Sequence, residues 1–137
     1  PAQNMAKVAR EERDIPTISE FFGKDVAKRL ASDGQRADVI HANNVLAHVP
    51  NINDFTRGLK VILKKGGAIT IEFQHLLRLI DGSQFDTIYH EHFSYLSFFT
   101  VNKIFESSGL RVWDVKSYRL MAEAYGYSHV TLAIIEI

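Results

Sequence analysis

The apolar positions of this chain change period several times, and the changes mark out alternating helices and strands. Met5, Val8 and Ala9 share one helical face within residues 4–13, charged residues lie opposite, and Pro16 stops the run. Thr17-Ile18-Ser19-Glu20-Phe21-Phe22 is β-prone and predicts a strand. Gly23 then leads into residues 25–30, where Val26, Ala27 and Leu30 repeat at helical spacing. Residues 37–42 predict the next strand, closed by Asn43 and Asn44, whose side chains tolerate turn geometry. Asn53 or Asp54 can cap a helix through Phe55, Leu59, Ile62 and Leu63, and Gly66-Gly67 ends it. Residues 68–73 form a nearly continuous apolar run, the pattern of a strand covered on both faces.

After Phe73 the pattern changes. Leu76, Leu77, Leu79 and Ile80 predict a short helix, Asp81-Gly82-Ser83 breaks it, and an aromatic, histidine-rich segment follows as loop or irregular helix. Thr100 can cap a helix through Val101, Ile104 and Phe105 that ends at Gly109. Residues 110–115 and 129–136 are the last two strands. The 118–128 connection is too short for a helical crossover, so they pair antiparallel. The alternation predicts an α/β domain with a mostly parallel sheet and a closing antiparallel pair.

Composition narrows the function classes. A chain of 137 residues that is 46% hydrophobic can build a core as one domain or a large piece of one. Sixteen basic and sixteen acidic residues balance, which argues against a nucleic-acid footprint or a polybasic membrane patch. With no cysteine there is no disulfide framework or thiolate metal site, and no apolar stretch resembles a signal or a membrane span. The expectation is a cytoplasmic protein that engages neither nucleic acid nor membrane.

The candidate chemistry sits in Tyr89-His90-Glu91-His92, within residues 84–97. Two imidazoles, a carboxylate and a phenol in four positions can move protons, because imidazole ionises nearest neutral pH. A polar surface turn or an opportunistic metal site is the plainer reading. His90 and His92 alternate as on a strand, but no third ligand accompanies them, so no metal is expected.

Two stretches carry a resemblance. Asp38-Val39-Ile40-His41-Ala42-Asn43-Asn44-Val45-Leu46-Ala47-His48-Val49-Pro50, followed by Leu63-Lys64-Lys65-Gly66-Gly67-Ala68-Ile69-Thr70-Ile71-Glu72, resembles the second half of a class I S-adenosylmethionine-dependent methyltransferase. Within that class, residues 84–97 closely resemble the nucleotide-sugar C-methyltransferases of deoxysugar biosynthesis, and the likeness runs from about residue 1 to 115. It implies a Rossmann-like sheet of order 3-2-1-4-5-7-6, S-adenosylmethionine as cofactor, and a nucleotide-linked ketosugar as substrate. The family's zinc-binding region, glycine-rich cofactor turn and acidic ribose-binding strand find no counterpart here. Residues 1–137 are therefore expected to be part of a methyltransferase domain, with the sheet truncated and residues 17–22 standing where strand three would be. After Val115 the family's glycine-containing turn near the substrate is replaced by Lys116-Ser117-Tyr118-Arg119-Leu120-Met121.

The resemblance assigns the base to His92, places Tyr89 and Glu91 at the active site, and sets His48 near the sugar. A carboxylate can hold an imidazole tautomer and a phenol can stabilise an enolate oxygen. Open α/β sheets bind ligands beyond the carboxyl ends of their strands, so Glu20, Phe21 and Phe22 are candidate cofactor residues, with either ring able to stack on adenine or to serve the core. Asn43 and Asn44 are cofactor contacts in the family and turn formers on the plainer reading, and His48 could equally be structural. Two functions follow: a C-methyltransferase fragment, or a non-catalytic remnant whose open sheet edge drives self-association into a homodimer. A hydride-transferring Rossmann enzyme fits less well, since no G-x-G-x-x-G follows a strand.

Overall fold

The computed structural model of the chain describes residues 2–122 and 126–136, with side chains described through Ser117. Among the described residues, five helices, α1 (Gln3–Arg13), α2 (Lys24–Ser32), α3 (Ile52–Ile62), α4 (Leu76–Asp81) and α5 (Phe98–Ser107), accompany four strands. The strands are β1 (Ala37–Asn43), β2 (Leu63–Gln74), β3 (Arg111–Ala122) and β4 (Gly126–Glu136), in sheet order β1-β2-β4-β3. β1 and β2 pair parallel, and β4 runs antiparallel to both β2 and β3. Three strands thus share one direction, and the order reproduces the last four places, 4-5-7-6, of the expected sheet. The expected closing hairpin is present and longer than its sequence signal: β3 runs on to Ala122 and β4 resumes at Gly126, inside the stretch read as a connection. Of that connection, residues 123–125 lie outside the described residues.

Residues 17–22 do not form the expected strand. β1 is the last described strand on its side of the sheet, and the segment does not pair with its outer edge. It runs as coil instead, and the Thr17 carbonyl accepts a hydrogen bond from Arg10 (2.8 Å). α1 forms where the spacing predicts, yet its apolar stripe is not a core face: Met5 and Val8 are exposed and Ala6 is buried.

The core lies against one side of β2. Ile69, Ile71 and Phe73 are closed off with Phe55 and Leu59 of α3, Val101 and Phe105 of α5, and Leu110. The alternate residues Ala68, Thr70, Glu72 and Gln74 are only half-buried, so the strand is not covered on both faces as its apolar run suggested. Val39 is exposed, and His41 bonds across to Thr70 on the same open side.

Helix ends also differ from the sequence reading. Asn51, not Asn53 or Asp54, caps α3 by accepting the Asp54 N–H (3.1 Å). Asp54 instead accepts the Lys24 N–H (3.1 Å) and so caps α2 from the neighbouring helix. Ser97, not Thr100, caps α5. The pair Gly66-Gly67 belongs to β2 rather than to the end of α3: Gly66 takes φ 79°, and the β1–β2 register jumps there, from Ala37↔Leu63 to Val39↔Ala68.

α2 and α3 approach through glycine. A Cβ on Gly58 would lie 2.8 Å from both the carbonyl carbon and oxygen of Gly23. Because those atoms are main chain, Gly58→Ala must push the helices apart. The expected loss is about 1–3 kcal/mol of unfolding free energy, read by chemical denaturation. A wild-type midpoint would mean that the helix contact yields freely.

Candidate functional site

The site forms beyond the carboxyl ends of β1 and β2. At the end of β1, Asn44 enters the left-handed region (φ 51°) while its N–H bonds the Glu72 carbonyl (3.0 Å), and the chain turns into a 3₁₀ turn, Leu46–His48. Leu46 is buried beneath that turn and anchors it. At the end of β2, the residue after Gln74 makes an isolated bridge, His75 to Leu96. The segment between, which contains Tyr89–His92, is tied back to the turn by Phe93 and Ser94, whose N–H groups share the Ala47 carbonyl (2.8 and 3.3 Å).

These ties assemble the histidine cluster. The His92 ring lies 4.3 Å from Tyr89, 4.6 Å from His48 and 5.7 Å from Tyr95, centroid to centroid. His92 Nδ1 is 3.0 Å from the Thr87 carbonyl, which can only accept, so Nδ1 carries the proton and Nε2 of the neutral ring keeps its lone pair. His48 Nδ1 bonds the Glu91 carbonyl (3.0 Å) and is placed in the same tautomer. Burial pushes the His92 pKa below the usual histidine value. The nearby His48 acts in the same direction, while the Thr87 hydrogen bond and Glu91 oppose it. A neutral, oriented imidazole beside a phenol can take a proton from carbon and receive the resulting enolate.

Three of the four predicted catalytic residues, His92, Tyr89 and His48, are brought together as ring partners. The fourth, Glu91, sits among them but contributes its main-chain carbonyl: the carboxylate expected to hold the His92 tautomer is replaced in that role by Thr87. Thr87 and Tyr95 are the residues that sequence reasoning missed. Tyr95 had a signal, an aromatic three positions after His92, whereas a carbonyl acceptor has none in any side chain.

A cavity of about 440 Å³ opens beside the cluster. Glu20, Phe21, Phe22 and His48 all line it, so the predicted cofactor residues of the 17–22 segment and one of the predicted catalytic residues border the same space. Its volume is in the range of small-ligand sites. Asn43 and Asn44 are exposed at the end of β1 and do not line the cavity. The two phenylalanines divide their roles: Phe22 packs edge-on against Phe55 of the core (5.6 Å, 78°), while Phe21 is 76% exposed at the cavity and offers its ring. Glu20 is engaged by Arg29, with a shortest contact of 2.6 Å.

A sheet ordered β1-β2-β4-β3, with a cavity and a histidine–tyrosine cluster at its carboxyl edge, defines a Rossmann-like methyltransferase fold. Solved structures agree. The S-adenosylmethionine-dependent methyltransferase from Anabaena variabilis ATCC 29413 aligns with TM-score 0.70 at 12% identity, covering 98% of this chain and 64% of that one. One from Thermotoga maritima aligns with TM-score 0.61 at 14% identity, covering 98% and 70%. The family model described as "Methyltransferase domain" matches residues 3–115, and the chain belongs to that family, whose methyl donor is S-adenosylmethionine. Among curated proteins, "C-methyltransferase NovU" of Streptomyces niveus is 37% identical over 133 residues. The match takes in 97% of this chain, which spans 30% of that relative's length. Among the described residues, no helix is long and apolar enough to cross a membrane.

Proposed function

We propose that residues 1–137 are the part of a methyltransferase domain that holds the base and the substrate side of a C-methyltransferase acting on a nucleotide-linked ketosugar. The observation that carries this reading is the orientation of His92, whose Nδ1–H is committed to the Thr87 carbonyl so that Nε2 is the acceptor. His92 Nε2 takes the proton from the carbon beside the ketone, and the C–H electron pair passes into an enolate. The Tyr89 phenol donates to the enolate oxygen, and His48, which lines the cavity, faces the sugar. S-adenosylmethionine, when bound, supplies the methyl group from its sulfonium. The residues present fit its adenosine end: the exposed Phe21 ring would stack on the base, with Phe22 and Glu20 beside it in the cavity, while Asn43 and Asn44 would hold it only from outside the cavity, at the end of β1. The 37% identity to a C-methyltransferase supports carbon as the methylated atom. The cysteine-free composition suits a cytoplasmic setting.

The exposed Val39 and the open side of β1 favour a second reading, a non-catalytic domain that self-associates as a homodimer through that edge. Calorimetric titration with S-adenosylhomocysteine, alongside light scattering, separates the two. Binding in the micromolar range that is weakened about tenfold by Phe21→Ala, in the range expected for loss of one base-stacking ring, supports the methyltransferase reading. A dimer with no binding at millimolar ligand supports the second.

A further inference from the structure

We infer that Tyr95 is a positioning residue for the base, its hydroxyl locking the main chain of Tyr89 so that the His92 ring is held against the Thr87 carbonyl. The inference rests on the reading of His92 as the base.

The segment that carries His92 has no helix or strand between the 3₁₀ turn at Phe85–Thr87 and Leu96, so its shape comes from a few polar ties. Tyr95 supplies the one that closes it. The Tyr89 N–H donates to the Tyr95 hydroxyl (3.2 Å), and that hydroxyl lies 3.4 Å from the Tyr89 carbonyl, to which it donates. The same carbonyl accepts the His92 N–H (3.1 Å). One phenol therefore bridges both main-chain groups of Tyr89, and residues 89–95 form a closed loop around the His92 ring. The ring is then fenced on three sides: the tilted Tyr89 face, the Tyr95 edge at 80° and the His48 ring.

The loop's other main-chain ties, Phe93 and Ser94 to the Ala47 carbonyl and the Glu91 carbonyl to His48, fasten it to the turn after β1 and leave the Tyr89 end to Tyr95. The side chains of Phe93 and His90 are exposed. The Thr87 carbonyl is itself anchored, since the Thr87 hydroxyl donates to the Gln84 carbonyl (2.8 Å). What must be kept constant is the span between that anchor and the imidazole, and Tyr89, two residues after Thr87, is where the chain would swing. The titratable groups packed around His92 are His48 from the turn after β1, Glu91 beside it, and the phenols of Tyr89 and Tyr95. Tyr95 itself needs no contact with substrate, so its loss acts through His92.

The test uses the chain with ¹⁵N-labelled histidine, titrated by NMR as wild type, Tyr95→Phe and Tyr95→Leu. In the wild type, His92 is expected to show the Nδ1–H tautomer and to titrate below the ordinary histidine range. Tyr95→Phe keeps the ring but removes the hydroxyl. It is expected to give mixed His92 tautomers, a midpoint displaced from the wild-type value, and about tenfold slower deuterium exchange into a nucleotide-linked ketohexose at unchanged KM. Tyr95→Leu removes the ring as well and is expected to shift His92 further. A His92 titration and tautomer identical to wild type in Tyr95→Phe overturns the inference, whatever happens to thermal stability. If the wild-type chain exchanges no ketohexose proton but Tyr95→Phe still disturbs His92, the positioning role stands and the base assignment fails.

Discussion

Replacing His92 with alanine is expected to slow removal of the proton beside a ketone by about 10²–10⁴-fold, the usual contribution of a positioned general base. Exchange of solvent deuterium into a nucleotide-linked ketohexose, followed by proton NMR, reads that step without requiring methyl transfer. The pH dependence carries the sign of the His92 shift. Burial favours the neutral ring, so the base form persists to lower pH than for a free histidine. The exchange rate should therefore rise with pH through a midpoint below 6.5 and stay flat above it. The limb should vanish in His92→Ala. An acid limb centred at or above 6.5, or wild-type exchange in the alanine variant, would take the role away from His92.

Phe105→Ala is expected to cost about 3–5 kcal/mol of unfolding free energy, the largest stability effect of any change considered. The side chain is completely buried in α5 and sits in one cluster with Ile69, Ile71 and Phe73 of β2, so truncation leaves a hole between helix and sheet. The position is also where α5 gives way to β3. The Phe105 carbonyl accepts the N–H groups of Ser108 and Leu110, both at 3.0 Å, so the chain around the void is pinned and collapses poorly. Phe99, in the same helix, is 71% exposed. Phe99→Ala should change stability by less than about 0.5 kcal/mol. Urea denaturation of the two variants side by side makes the comparison, and equal losses would contradict this account of the core.

Features that depend on neighbours in sequence were the legible ones. α2, α4 and β1 fall close to where periodicity places them, and the Tyr89–His92 cluster is visible as residue types alone. What escaped depends on partners distant along the chain or on main-chain atoms. The 17–22 segment has strand propensity, but a strand exists only against a neighbour, and the segment does not pair with the outer edge of β1. Asp54 looks like a cap for α3 because it precedes an apolar periodicity; its oxygen goes to α2, a tertiary choice that propensity does not encode. Ser97 and Thr100 are both good caps three residues apart, and it is Ser97, next to the Leu76–Leu96 tie, whose oxygen takes the Thr100 N–H. At the site, the carboxylate of Glu91 was the obvious orienting group for His92, and a carbonyl took its place.

The cap that crosses from α3 to α2 has a consequence for motion. Gly23 offers no side chain to start α2, and a Cβ there would strike the Asp54 carboxylate at 2.1 Å, so the helix depends on an oxygen borrowed from its neighbour. A nine-residue helix is marginal by itself. If the first turn of α3 frays, the borrowed oxygen leaves and α2 loses its start; the two helices open as one cooperative unit. Phe21, Phe22 and Gly23 lie at that junction. The 20–23 side of the cavity therefore loosens together with its Asp54–Phe55 side, and a ligand bound there is expected to slow amide exchange in α2, none of whose residues line it.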